Sequence, residues 1–281
     1  MPSISLITFT SEFNKRTHKR LKFQCSKLDA NIRFNYFTSV DLNADFKSQH
    51  STILNKKCRG YGFYIWKPQI ILQALDRMNQ GDILIYLDAG GHINYAANSY
   101  YQHIMSSFKE EKIDIVAYQA FPLAELRSSN KSKYYVEMVN KYWISHNVLQ
   151  RFKNPMEARD KYQIFSGVLV IKKTKTSYSA IRRWLNLCED YNLLLGRNTG
   201  NNTDLKNHQL DMACLNLALD DYKNIQLRSY DEVWLPSNRS PQFNERLLKF
   251  SVFWMKRDFG LLRVLKFNLK NQIKNLINLL K

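Results

Sequence analysis

One carboxylate, Asp88, ends an otherwise apolar run, and its position suggests a ligand site. The run ILIYL, at residues 83–87, has the pattern of a buried strand, and Asp88 is the first polar residue after it. Ala89, Gly90 and Gly91 follow, and their small side chains let a bulky ligand approach the backbone. The arrangement suits a metal ion or a ribose hydroxyl. An aspartate that caps the next turn accounts for the same pattern equally well.

A second cluster, GYGFYIWKP at residues 60–68, combines glycines, aromatic rings and a cation. Tyr61 and Trp66 offer flat faces on which a base or a sugar ring can stack. Lys67, with Arg59 close by, stands at the start of a predicted helix, where unpaired backbone N–H groups attract anions. The cluster therefore predicts phosphate or nucleotide binding. The same rings would also serve to pack a loop against the body of the protein.

The elements that must position these residues alternate between strands and helices, which indicates an α/β fold. Strands are predicted at residues 3–10, 32–38, 83–87, 114–120, 163–173 and 224–230, and helices at 15–28, 67–78, 177–195 and 208–219. Ligands of open α/β sheets bind at the carboxyl ends of the strands. We therefore expect Thr8, Thr10 and Asp88 to lie along one edge of the sheet.

Together the two clusters resemble the paired signature of a family of bacterial glycosyltransferases from polysaccharide gene clusters. The resemblance is carried by RGYGFYIWKPQIILQAL and GDILIYLDAGGHIN, with SISLITFTS, FSGVLVIKK and HQLDMACLNLAL in the expected order over residues 3–220. It implies a GT-A fold, a Rossmann-type mixed sheet flanked by helices. It also implies transfer of a sugar from a nucleotide diphosphate, in particular a UDP-sugar. The implied acceptor is a lipid-linked or growing glycan of a surface polysaccharide such as O-antigen, capsule or lipopolysaccharide.

The resemblance also bears on metal binding. Asp88 matches the first position of the DxD motif, whose carboxylates hold a divalent cation, Mn²⁺ or Mg²⁺, against the donor diphosphate. Gly90 replaces the second carboxylate. Either Asp88 shares the ion with a distant ligand such as His208 or Asp211, or the fixed charge of Lys67, with other cations such as Arg59, does the same electrostatic work without a metal.

Further roles follow from matching single positions to the family pattern. The predicted donor site comprises Thr8, Thr10, Tyr61, Trp66, Lys67, Asp88 and Gly90. Asp211 matches the acid that starts a helix in this family and would take the acceptor proton as a general base. The alternative is an acid that complements the helix dipole. Gly167 would leave room for the acceptor, His208 would contact it, and Glu125 is a weaker candidate base.

Positive charge is concentrated near the C-terminus. The chain carries 42 Lys and Arg against 24 Asp and Glu, a formal net charge of +18. In residues 246–281 nine basic residues stand against Asp258 alone, and Leu and Ile recur there at steps of three and four. This is the pattern of a basic amphipathic helix, and Phe250, Phe253 and Trp254 add rings suited to lipid headgroups. We predict a GT-A-like body at 1–245 and a tail that contacts an anionic membrane; a solvated helix packed on the body is the alternative.

Other chemistries lack their signatures. The four cysteines form no CxxC pair and the histidines no HExxH motif, which argues against a zinc site. A GxSxG elbow, a Walker A loop and an early GxGxxG are also missing. No apolar run is long enough for a spanning helix, and the N-terminus lacks a secretory pattern. We expect a cytoplasmic enzyme, peripheral at the inner face of the bacterial membrane. The alternative is a non-catalytic basic adaptor for anionic lipid or nucleic acid, the latter being the less favoured partner.

Overall fold

The computed structural model describes residues 2–110, 112–120, 138–197, 204–233 and 251–255. The strands are β1 (Ile4–Phe9), β2 (Ile32–Phe37), β3 (Ile83–Leu87), β4 (His92–Ile93), β5 (Ile115–Gln119), β6 (Ile164–Lys172), β7 (Ile225–Ser229) and β8 (Phe253–Trp254). The helices are α1 (Lys15–Leu28), α2 (Ala44–Gln49), α3 (Gly60–Phe63), α4 (Trp66–Asp76), α5 (Asn98–Glu110), α6 (Asn140–Trp143), α7 (His146–Leu149), α8 (Pro155–Asp160), α9 (Lys175–Glu189), α10 (Tyr191–Leu194) and α11 (Leu210–Ala218). Single 3₁₀ turns occupy Ser39–Asp41 and Tyr230–Glu232.

Six of the strands form one mixed sheet in the order β2-β1-β3-β6-β5-β7. β1 runs parallel to β2 and β3, and β5 runs parallel to β7, whereas β6 is antiparallel to both of its neighbours. The carboxyl ends of the five parallel strands and the start of β6 therefore meet at one edge of the sheet. This confirms the predicted α/β class with a mixed sheet flanked by helices.

Helices cover both faces of the sheet, which explains why β3 is apolar throughout. Leu84 and Tyr86 face a core shared with α4, α9 and α11, and Ile83, Ile85 and Leu87 face a core shared with α1 and α5. All five residues of β3 are buried. Since neither face of β3 is open to solvent, Asp88 after its last residue is the first position from which this strand can present a polar group.

A second, two-stranded sheet corrects one expectation about the C-terminal region. β8 pairs antiparallel with β4, so that Trp254 lies opposite His92 and Phe253 opposite Ile93. Both Phe253 and Trp254 are fully buried. The prediction that these two rings rest among lipid headgroups is therefore wrong, because both are buried inside the protein, Phe253 in the core that it shares with α1.

Two other expectations fall on residues that the structure does not describe. Glu125 lies outside the described residues, as do residues 246–250 and 256–281 of the predicted tail. Within the described part of the chain, no helix has both the length and the apolar character that crossing a bilayer requires.

Candidate active site

Asp88 lies at the carboxyl edge of the sheet, as predicted. Its backbone N–H donates to the carbonyl oxygen of Gly167 at 2.9 Å, which extends the pairing of β3 with β6 by one residue. Arg20 of α1 holds the following loop, since its guanidinium donates to the carbonyl oxygens of Ala89, at 2.8 Å, and of Gly91. Burial lowers the pKa of Arg20 to about 10, which still leaves it cationic at neutral pH. Asp88 therefore follows a rigid strand and begins a braced loop.

Lys67 brings Asp88 and Asp211 together. Its Nζ lies 3.3 Å from Oδ1 of Asp88 and 3.2 Å from Oδ2 of Asp211, and it donates to Oγ of Ser166 at 3.2 Å. The hydroxyl of Tyr86 donates to the same Asp88 oxygen. Lys67 is the second residue of α4 and Asp211 is the second residue of α11, and the two helices lie on the same face of the sheet. The first turn of α4 and the first turn of α11 thus converge on the end of β3.

The members of this cluster differ sharply in exposure. The side chain of Lys67 is 3% exposed and that of Asp211 is 6% exposed, whereas 32% of the Asp88 side chain remains exposed. Lys67 was expected to face a diphosphate, but its ammonium is buried beneath Asp88. Asp88 is therefore the member of the cluster that a substrate can reach.

Burial controls the protonation of the cluster. Burial acts to lower the pKa of Lys67, but the carboxylates of Asp211 and Asp88 outweigh it and raise that pKa above its ordinary value. Burial raises the pKa of Asp211, and the charge of Asp88 adds to this effect against the opposing influence of Lys67 and Ser166. Burial and the Asp88 carboxylate raise the pKa of Tyr86 well above its usual range, so its hydroxyl stays a donor. With both aspartates ionised, two negative charges share one positive charge.

An unusual backbone segment, α3, delivers Lys67 to this position. Five successive residues have positive φ: Gly60 at 61°, Tyr61 at 54°, Gly62 at 86°, Phe63 at 56° and Tyr64 at 66°. This is one turn of left-handed helix, which costs about 1–2 kcal/mol for each residue other than glycine. Such strain persists only where surrounding contacts determine it, and it is concentrated at functional sites. The indole Nε1 of Trp66 supplies one such contact by donating to the carbonyl oxygen of Gly60 at 2.7 Å.

The predicted stacking residues belong mainly to this support. Trp66 is 6% exposed and stacks on Phe9 of β1 at a centroid distance of 3.9 Å, and Tyr61 lies 6.3 Å from the same ring. The Trp66 ring is therefore occupied by packing, and a role in base stacking is not supported. Tyr61 is only partly buried.

The two threonines of the predicted donor site have different surroundings. Thr8 is fully buried, and its Oγ1 has no hydrogen-bond partner among the residues that the structure describes. Oγ1 of Thr10 donates to the carbonyl oxygen of Glu12 and contacts the hydroxyl of Tyr36, each at 2.5 Å. Close to them, the ring of Phe13 is 61% exposed. The sequence did not single out Phe13, because an isolated aromatic residue in a loop has no periodic pattern.

His208 is part of the packing, in contrast to its predicted contact with the acceptor. Its Nδ1 accepts from the backbone N–H of Ser145 at 3.2 Å, and its Nε2 lies 3.0 Å from the carbonyl oxygen of Leu193. Burial lowers its pKa to about 4, so the ring is neutral and Nε2 is the donor. Both ring nitrogens are thus in use, and the structure favours a structural role. Gly90, by contrast, is exposed in the loop after Asp88.

Gly167 is needed for space, but the space is already filled. A Cβ atom at this position would lie 2.4 Å from Cζ of Phe165 and 3.0 Å from Oδ2 of Asp88. The ring of Phe165 thus occupies the room that the sequence assigned to an acceptor. Gly167 lets Phe165 and Asp88 lie side by side at the edge of the sheet.

A divalent cation does not fit between Asp88 and Asp211 in this arrangement. The Lys67 ammonium, within 3.3 Å of Asp88 and Asp211, takes the position between the two carboxylates that a cation would need. The described part of the chain also contains no group of three or more His, Cys, Asp or Glu side chains placed to bind a metal. The predicted role of Asp88 as a metal ligand is therefore not supported by its neighbours.

Comparison with known proteins finds similar folds among solved glycosyltransferases. A glycosyltransferase involved in the glycosylation of the major capsid of PBCV-1 matches with a TM-score of 0.48 at 11% identity, over 97% of this chain and 100% of that one. The galactosyltransferase LgtC, in complex with donor and acceptor sugar analogs, matches with a TM-score of 0.45 at 10% identity, over 95% and 96%. The bifunctional glycosyltransferase WbbM matches with a TM-score of 0.48 at 9% identity, over 96% of this chain and 49% of that one.

No family model and no curated protein matches the sequence. At 9–11% identity, the solved structures are similar to this chain in broad fold alone.

Proposed function

We propose that this protein is a glycosyltransferase. It moves a sugar from a nucleotide diphosphate donor to a hydroxyl group of an acceptor, and the reaction takes place beside Asp88. The observation that carries the proposal is the accessible carboxylate of Asp88 at the carboxyl edge of the sheet. The buried ammonium of Lys67 holds this carboxylate in place from the protein side. Ligands of α/β sheets bind at this edge. The sequence resemblance of the segments around Lys67 and Asp88 to glycosyltransferases supports the same reaction class.

The charge of the cluster suits this reaction. Transfer breaks the bond between the anomeric carbon and a phosphate oxygen, and the acceptor oxygen forms a new bond to that carbon as its proton leaves. The sugar ring becomes oxocarbenium-like and positively charged in the transition state of such displacements. Asp88 and Asp211 outnumber the single charge of Lys67, and a fixed negative charge beside a developing positive one lowers the barrier.

Asp88 is the better candidate for the proton acceptor. Its side chain is 32% exposed, whereas the Asp211 side chain, 6% exposed, is paired with Lys67 behind it. A general base must come within hydrogen-bonding distance of the hydroxyl that it deprotonates. We therefore assign the general base to Asp88 and a positioning role to Asp211, which reverses the order favoured by the sequence.

The donor diphosphate needs cations that are accessible, and Lys67 is not. Arg59 is exposed and immediately precedes the left-handed turn α3, whose Tyr61 lies near Phe9 at the end of β1. We propose that Arg59 binds the diphosphate, with the nucleotide lying along the segment from Thr8 to Phe13. No metal is used in this mechanism.

Donor binding is tested by thermal denaturation of the full chain with a panel of nucleotide sugars, including UDP-sugars, with and without EDTA. We expect stabilisation by at least one donor in both conditions, because a ligand that binds only the folded state raises its stability. Arg59→Ala should weaken that stabilisation by about tenfold in apparent affinity, the effect of losing one hydrogen bond to a charged group. Lys175→Ala is the control, since Lys175 is exposed at the opposite edge of the sheet. Absence of any shift and of any donor turnover would refute the proposal.

The setting of the reaction extends the proposal. A lipid-linked glycan acceptor of a bacterial surface polysaccharide would be reached if residues 256–281, the larger part of the predicted tail at 246–281, hold the enzyme on anionic lipid. We expect the full chain to co-float with vesicles that contain phosphatidylglycerol. The variant with Lys266, Lys270 and Lys274 changed to Glu should remain unbound. A matched variant carries the same change at Lys15, Lys19 and Lys22, exposed on α1, and should still float. Equal flotation of both variants would contradict membrane contact through the tail.

A further inference from the structure

A buried amide near the candidate site has no hydrogen-bond partner in the described part of the chain. Gln163 is 2% exposed, and neither its Oε1 nor its Nε2 makes a hydrogen bond to a described residue. The backbone of Gln163 is fixed, because its N–H donates to Met138 at 3.1 Å and its carbonyl accepts from Ala120 at 2.8 Å. Leaving a buried polar group unsatisfied costs about 1–3 kcal/mol. An amide held in this state can bind a ligand without first breaking a bond within the protein.

Gln163 lines a small pocket at the same edge of the sheet as Asp88. The pocket has a volume of about 220 Å³ and lies between the end of β5, the start of β6 and the first turn of α11. Pockets for drug-sized ligands commonly measure about 300–1,000 Å³. The space therefore suits a single sugar ring and is too small for a nucleotide diphosphate.

Aromatic rings form much of the remaining wall. Phe165 and Tyr230 pack edge to face with ring centroids 5.0 Å apart, and Trp143 also lines the pocket. Flat apolar rings combined with a few polar groups are the composition of sites that bind small molecules. A pyranose matches this wall, since it carries apolar C–H faces and a rim of hydroxyl groups that a glutamine amide can both donate to and accept from.

The pocket adjoins the carboxylate cluster on two sides. Met212 lines it and directly follows Asp211, and Phe165 lines it while its ring fills the space beside Gly167 and Asp88. None of the described residues that line the pocket carries a charge. A ligand in the pocket would thus lie beside a cluster with excess negative charge, and among the described lining residues it would meet no cation that could pair with an acidic group.

We propose that this pocket binds the acceptor as an uncharged pyranose, with the amide of Gln163 hydrogen-bonded to its hydroxyl groups. The inference rests on the proposed function for the role of the bound sugar as acceptor. It names the substrate class: neutral sugars enter, and uronic acids or sugar phosphates are rejected because a buried anion without a partner is strongly unfavourable.

Saturation-transfer NMR on the full chain tests the pocket with p-nitrophenyl glucoside, galactoside, mannoside and glucuronide as probes. We expect saturation transfer to at least one neutral glycoside and none to the glucuronide. Gln163→Leu should reduce the affinity for that glycoside by about tenfold or more, the effect of losing two hydrogen bonds. Gln150→Leu is the matched control, since Gln150 is exposed beyond α7. Gln163→Leu should also be at least as stable to heat as the wild type, because it removes buried polar atoms that have no partner.

The outcomes separate this inference from the proposed function. Gln163→Leu that binds the glycoside as tightly as the wild type, binding of the glucuronide in preference to every neutral probe, or no binding of any probe would overturn the inference. Donor-induced stabilisation, measured on the same samples, reports on the proposed function separately. If donor binding persists while the glycoside experiments give one of these contrary results, only the assignment of the acceptor pocket is refuted. If glycoside binding depends on Gln163 while no donor binds, the pocket stands and its role as an acceptor site is lost.

Discussion

Lys67→Met is expected to abolish glycosyl transfer and to destabilise the fold by about 3–5 kcal/mol, the range found when one partner of a buried ion pair is removed. The substitution keeps an unbranched side chain of similar length but removes the ammonium that lies 3.3 Å from Asp88 and 3.2 Å from Asp211. Two carboxylates then face each other without a counter-charge. Asp88 also loses the contact that, together with Tyr86, fixes its orientation.

The loss of stability in Lys67→Met should depend on pH in a definite direction. Burial already raises the pKa of Asp211 in the folded protein, and removal of Lys67 takes away the main opposing influence. A carboxyl group whose pKa is higher in the folded state than in the unfolded state destabilises the fold progressively as pH rises above the unfolded value of about 3.9. The difference in stability between the variant and the wild type should therefore be small near pH 4 and should grow toward neutral pH.

Urea denaturation across this pH range measures the effect, and a second variant isolates its cause. Adding Asp211→Asn to Lys67→Met removes one of the two unpaired charges, so it should recover much of the stability at neutral pH while transfer stays absent. Lys67→Met with wild-type stability and an unchanged pH profile would show that the ammonium does not hold the two carboxylates together.

The position of Asp88 could be predicted because it depends on a local pattern. A run of five apolar residues predicts a strand buried on both faces, and the first polar residue after such a strand must emerge at the sheet edge. The convergence of Lys67, Asp88 and Asp211 was not predictable in the same way. It depends on how α4 and α11 pack on the sheet, and nothing in a single sequence encodes the distance between two helix starts.

The site predictions were wrong where the same side chain could serve either a ligand or the packing of the protein. Trp66 can stack on a ligand or on Phe9, and His208 can bind a ligand or two backbone groups; in each case packing satisfies the side chain within the protein. The sequence did not predict that the Lys67 side chain points into the protein, because the glycines of GYGFY predict a turn but not a left-handed one. Arg20 and Gln163 were missed because their roles depend on what surrounds a single polar side chain, which periodicity does not reveal.

Asp88→Asn should reduce transfer by about 10²–10⁴-fold, the usual contribution of a general base, while leaving the fold intact. The amide keeps the shape of the carboxylate and can still accept the hydrogen bond from Tyr86. Because the amide is uncharged, Lys67 is left paired with Asp211 alone, and the net charge of the buried cluster becomes zero. The free energy of unfolding should therefore stay within about 1 kcal/mol of the wild type. Donor affinity should be retained, because the proposed diphosphate ligand, Arg59, is untouched.

Comparison with Asp211→Asn decides between the two carboxylates. If Asp88 takes the acceptor proton and Asp211 only positions Lys67, Asp88→Asn should have the larger effect on kcat. Asp211→Asn should mainly change the stability of the fold and the dependence of that stability on pH. Asp45→Asn is the control, since Asp45 is exposed on α2. A greater loss of kcat in Asp211→Asn than in Asp88→Asn would return the general base to Asp211. That result would require Lys67 and Asp88 to separate when substrate binds, because the Asp211 side chain is only 6% exposed in this structure.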